Sequence, residues 1–165
     1  MHGPAGPLDI PLPLTGTPGL EPRSGGITQL VLTFDQPVQP ADALPDTEVA
    51  VSPGNVTSIT WSGAQVTANV AGLADGCVTI TVTGWENAVT GTPQSAPMSF
   101  TAQALLGNTN GDKVVTLSDA VLVKSRIGQP LTSATAVYDL NLSGAIDNND
   151  VQLAKSQITH TVSCP

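Results

Sequence analysis

A chain of 165 residues suffices for one ordinary domain or two small ones, and the choice rests on its internal organisation. Its formal net charge of −8, with only five Lys and Arg, disfavours nucleic acid and anionic membrane as partners, and no stretch approaches the roughly twenty apolar residues that span a bilayer. Phe34, Trp61, Trp85, Phe100 and Tyr138 are the whole supply of Phe, Trp and Tyr, so any core is built mostly of Val, Leu, Ile and Ala.

The chain opens without a basic segment and apolar run, so Met1 before HGPAGP fits a start placed after a removed export signal or inside a longer exported polypeptide, extracellular or at the cell surface. LDIPLPL (8–14) reads as an edge strand, because its prolines cannot serve a central ladder. ITQLVLTF (27–34), TEVAVSP (47–53), SITWSGAQVTANV (58–70), CVTITVTGW (77–85) and PMSFTAQAL (97–105) interleave β-branched or apolar residues with polar ones. PGN, SGA, ADG and TGTPQ separate them and have turn composition. Short strands at this spacing predict an antiparallel sandwich with one face of each sheet buried.

Near residue 105 the period changes. DAVLVKSRIG (119–128) and DVQLAKSQIT (150–159) set apolar residues three and four apart, as short amphipathic helices do, and each begins with Asp, a favourable charge at a helix N-terminus. Cys77 and Cys164 are the two cysteines; a bridge between the halves and two separate thiols both remain open, because pairing cannot be read from sequence.

Shifted by 31 residues, the tail lies on itself without a gap: Asn110 falls on Asn141, Asp119 on Asp150, Leu122 on Leu153, Lys124 on Lys155, Ser125 on Ser156 and Ile127 on Ile158. The copies NTNGDKVVTLSD (108–119) and DLNLSGAIDNND (139–150) each have the spacing of a calcium loop. Such a loop surrounds a hard cation with oxygens from alternate positions, a backbone carbonyl at the seventh and a carboxylate at the twelfth. The second copy offers Asp139, Asn141, Ser143, the Ala145 carbonyl, Asp147 and Asp150, with Gly144 at the sharp turn. The first offers Asn108, Asn110, Asp112, the Val114 carbonyl, Thr116 and Asp119, with Lys113 where glycine is preferred and its ammonium expected close to the ion. Two carboxylates against three make the first of the two expected calcium sites the weaker. Val115 and Ile146 fill the eighth positions, where paired loops exchange strand-like hydrogen bonds.

Two calcium loops, each followed by its helix and joined by the linker GQPLTSATAVY, resemble a dockerin, a small all-α, EF-hand-like module. The resemblance covers about 60 residues, from Leu106 to near Ser163, and also rests on the repeated Leu-x-Lys-Ser at 122–125 and 153–156. It implies a cohesin-like domain as partner, recognised through the helix that begins at the end of each loop. By position this singles out Leu117, Ser118, Lys124 and Ser125 in the first copy, and Asn148, Asn149, Lys155 and Ser156 in the second. Leu117-Ser118 and Asn148-Asn149 are unlike, whereas cellulosomal dockerins tend to present near-identical faces. Either one face is used, or the module packs against its own sandwich. GITQLVLTFDQPV and the strands after it are similar, less specifically, to the immunoglobulin-like sandwiches that precede dockerin-like pairs in secreted bacterial proteins.

The expected architecture is thus an all-β immunoglobulin-like sandwich over 1–105 and a calcium-binding dockerin-like module over 106–165, a non-catalytic pair that attaches to a cohesin in an extracellular assembly. Catalysis is disfavoured because the only histidines are His2 and His160, and because nothing pairs two of Glu21, Glu48 and Glu86 as acid and base. A purely structural cap or spacer is one alternative. A carbohydrate-binding sandwich is another, if Trp61 or Trp85 forms an exposed platform.

Overall fold

A computed structural model describes residues 8–13, 15–16, 18–42, 47–94 and 96–164. In chain order its strands are β1 (Gly19–Glu21), β2 (Gln29–Thr33), β3 (Val38–Pro40), β4 (Val49–Ser52), β5 (Asn55–Ser62), β6 (Gln65–Ala71), β7 (Gly76–Val82), β8 (Trp85–Asn87) and β9 (Met98–Ala104). Two helices follow, α1 (Leu117–Ser125) and α2 (Asn148–Ser156), with one 3-10 turn between them at Ala136–Tyr138. The chain divides into two compact units, one of residues 1–26, 74–77 and 102–165 and the other of residues 27–73 and 78–101.

The 27–73 and 78–101 unit is strand-rich, and its alternating sequence explains it. Val66, Ala68 and Val70 of β6 and Val78, Ile80 and Val82 of β7 are buried at every second residue, while their neighbours face outward or lie half-buried. β6 pairs antiparallel with β2 and with β5; β4 pairs antiparallel with β7, which neighbours β9; and β3 pairs antiparallel with β8. The run CVTITVTGW is not one strand, since β7 ends at Val82 and Trp85 opens β8 against β3.

The unit that carries the tail begins with a correction. Residues 8–13 of LDIPLPL form no strand, and Leu14 lies outside the described residues. Pro11 and Pro13 lack the N–H a ladder needs. β1 takes that edge instead, and it runs parallel to the end of β9, Gly19 to Glu21 against Ala102 to Ala104, so the pairing is not purely antiparallel. Beside it, Glu21 and Arg23 form a buried ion pair at 2.6 Å. Cys77 and Cys164 are bonded in a disulfide with Cα atoms 5.3 Å apart, so the bridge left open by the sequence exists.

Helices α1 and α2 start two residues earlier than expected and end at Ser125 and Ser156. Thr116 and Asp147 are their N-caps, so Asp119 and Asp150 stand at the third helical position and complete capping boxes. Ala120, Val123, Leu140, Ile146, Val151 and Ala154 form the core between the helices, with Leu131, Tyr138 and Leu153 packed on it.

Candidate metal centre and docking face

Each candidate loop is closed by the carboxylate at its twelfth position. Asp119 Oδ1 accepts hydrogen bonds from the Thr109 and Asn110 amides at 2.9 and 3.2 Å, and its Oδ2 accepts from the Thr116 amide at 2.9 Å. Asp150 repeats the pattern, accepting from the Asn141 amide at 3.1 Å and the Asp147 amide at 2.8 Å. One side chain therefore joins the entry of the loop to the start of the helix.

The alternate donors line the inside of each turn. Asn108 Oδ1 accepts from the Gly111 amide at 3.1 Å, Asn110 Oδ1 from the Asp112 amide at 3.0 Å, and Asp112 Oδ1 from the Val114 amide at 3.0 Å. In the second loop Asp139 accepts from the Ser143 and Gly144 amides at 3.0 and 2.9 Å, and Asn141 Oδ1 accepts from the Ser143 amide at 2.9 Å. Ser143 Oγ donates to the Ala145 carbonyl at 3.1 Å, so the fifth and seventh positions are adjacent. The ninth-position side chains, Thr116 and Asp147, accept from Ser118 and Asn149 amides as helix caps.

Both turns need left-handed backbone at the fourth and sixth positions, and each loop supplies glycine at only one of them. Gly111 (φ 78°) and Lys113 (φ 73°) occupy these places in the first loop, Leu142 (φ 59°) and Gly144 (φ 92°) in the second. A non-glycine residue there carries about 1 kcal/mol of strain. The Lys113 ammonium does not approach the loop interior as expected; it donates to the Cys164 carbonyl at 3.3 Å.

The eighth positions are corrected too, because the loops do not bond to each other through them. The Val115 carbonyl accepts from the Thr159 amide at 2.9 Å, beyond α2, and the Ile146 carbonyl accepts from the Gly128 amide at 3.1 Å, beyond α1. Each half is thus closed by the residue that follows the other half's helix.

These residues fit a hard divalent cation. Asp119 and Asp150 are fully buried, Asp139 is 1% exposed, and among the described residues none of the three makes an ion pair. Buried anions without a counter-charge are costly, and a cation offsets that cost. At Asp150, burial pushes the carboxyl above its ordinary value; hydrogen bonds from the Asp147 and Asn141 amides oppose the shift, and the charges of Asp139 and Asp147 add to it. Among the described residues no three Asp, Glu, His or Cys side chains converge as a cluster. A calcium loop does not require one, since amide, hydroxyl and carbonyl oxygens supply much of its donor set. The Nδ2 of Asn108 is buried without a hydrogen-bond partner, the cost of an amide where Asp139 stands in the other copy.

All eight residues singled out on the helices, Leu117, Ser118, Lys124, Ser125, Asn148, Asn149, Lys155 and Ser156, are exposed. Sequence reasoning did not mark Val121, which stands one turn beyond Leu117; the two are 57% and 61% exposed. Their counterparts on α2, Gln152 and Asn148, are polar, so the two faces differ in chemistry. The i, i+4 spacing of exposed Leu and Val was available as the signal.

Elsewhere, Trp85 packs against Phe34 with ring centroids 4.9 Å apart, and both tryptophans are half-buried. His160 is exposed and His2 lies outside the described residues. No helix among the described residues is long and apolar enough to cross a membrane. No curated protein and no solved structure matches the chain. Residues 106–159 match the model of the dockerin type I domain, a family of non-catalytic modules that bind calcium and attach to cohesin domains.

Proposed function

We propose that residues 106–165 form a calcium-loaded docking module that attaches this chain to a cohesin-type domain in an extracellular assembly, behind a non-catalytic immunoglobulin-like sandwich that ends near residue 105. Calcium ions are held by Asn108, Asn110, Asp112, Val114, Thr116 and Asp119 in the weaker site, and by Asp139, Asn141, Ser143, Ala145, Asp147 and Asp150 in the stronger. The observation that carries the reading is the division of labour in each repeat: the twelfth-position carboxylate is fully buried in the first turn of a helix that presents exposed residues.

The unlike faces support attachment through α1, with Leu117 and Val121 as apolar anchors and Ser118, Lys124 and Ser125 around them. Capture by a panel of cohesin domains in millimolar calcium tests this. Binding should disappear with chelator and with Leu117→Arg, and survive Asn148→Arg. Failure of every cohesin to bind, with calcium heats intact, would discard docking.

The cap reading retains one specific support, the hydrogen bond from the Ser24 amide to the Leu140 carbonyl at 2.8 Å, which ties an N-terminal segment to the second loop. Loss of calcium binding when residues 1–24 are removed would favour it.

A further inference from the structure

The first loop has weaker donors than the second and a strained Lys113, yet it receives more support from outside itself. The segment after α2 runs alongside it: the Thr159 amide donates to the Val115 carbonyl and the Val115 amide to the His160 carbonyl, both at 2.9 Å, and the Val162 amide donates to the Lys113 carbonyl at 3.0 Å. Val114 and Thr161 form an antiparallel bridge, and the Lys113 ammonium reaches the Cys164 carbonyl. The segment is anchored by the bond from Cys164 to Cys77. A second route passes through Gln103, which is 1% exposed: its Nε2 donates to the Gly111 carbonyl at 3.5 Å, and its Oε1 lies 3.9 Å from the Cys164 sulfur. The fourth, sixth and eighth residues of the first loop are therefore all braced by the disulfide and its surroundings. At the eighth residue of the second loop the corresponding support is the single Gly128 bond to Ile146, with no bridge behind it.

We propose that the Cys77–Cys164 bridge, through the 159–164 segment it anchors, holds the first loop in its binding geometry, so that calcium affinity at this loop depends on the bridge and affinity at the second does not. This rests on the calcium reading of the loops. The physical basis is pre-organisation: if the loop spends only about a tenth of its time in the competent shape once the anchor is released, its dissociation constant rises about tenfold.

The Gly111 and Gly144 amides report the two loops separately, because each donates to the first-position side chain of its own loop. Calcium titration of the whole chain by amide NMR, with the native bridge and with Cys77→Ser plus Cys164→Ser, should move the Gly111 midpoint about tenfold upward and the Gly144 midpoint less than about twofold. A Cys77→Ser chain ending at Thr159 should show the same selective loss. Equal shifts at both glycines, or an unchanged Gly111 midpoint in both variants, would overturn the proposal while leaving the calcium reading intact. Absence of any Gly111 response in the bridged chain would overturn the calcium reading of the first loop and this inference with it.

Discussion

Lys113, Leu142 and Thr159 are the non-glycine residues with positive φ among the described residues, and each stands on a repeat position where the other copy has glycine: Gly144, Gly111 and Gly128. Thr159 is exposed and β-branched at φ 83°, so Thr159→Gly should stabilise the tail by about 1 kcal/mol. For a domain of this size that raises the thermal midpoint by a few degrees, readable by circular dichroism. Asp150→Asn keeps the shape of the side chain and removes its charge; calcium affinity of the second loop should fall at least about tenfold by calorimetry, and an undiminished affinity would remove Asp150 from the ligand set. The strained positions were legible in the repeat alignment, since glycine in one copy marks the backbone required of the other. The route of the Lys113 side chain was not, because it depends on where residue 164 returns in space.

Helices of nine residues are too short to persist alone, so α1 and α2 depend on their shared core and on the carboxylates that tie each to its loop. Chelation of calcium should therefore reduce helical ellipticity and lower a helical transition in calorimetry before the strand-rich unit unfolds. Coincident, chelator-independent profiles would contradict the coupling. Alternation in the sequence marked β2, β4, β5, β6, β7 and β9; in β4, β6 and β7 it is matched by burial at every second residue, whereas β5 is only half-buried on its inner side and the end of β9 is buried on both faces. It missed β1, β3 and β8, which have three residues each and no period to display. The helices start two residues before the expected Asp119 and Asp150, which stand at the third helical position and not the first. The Thr-x-x-Asp and Asp-x-x-Asp spacings were present and follow the geometry of a capping box.

For the molecule as a whole, the N-terminal segment matters to the tail. Removal of residues 1–24 deletes β1, the Glu21–Arg23 pair and the main-chain bonds among Glu21, Pro22, Ser24, Leu105, Gly107 and Leu140. At about 1 kcal/mol net for each hydrogen bond, the helical transition should fall by several degrees; an unchanged melt would show that the segment is dispensable. Neither this dependence nor the Cys77–Cys164 bond could be read from spacing, since both are set by contacts between segments far apart in sequence. The repeat, by contrast, was legible because duplication records itself in the order of residues. Its reciprocal closure, Thr159 to Val115 and Gly128 to Ile146, has a further consequence. Neither copy is a complete object, because each leaves a carbonyl whose donor belongs to the other. Separately produced halves should be mutual ligands, unstructured alone and assembling when mixed, so the smallest heritable unit of this module is the pair.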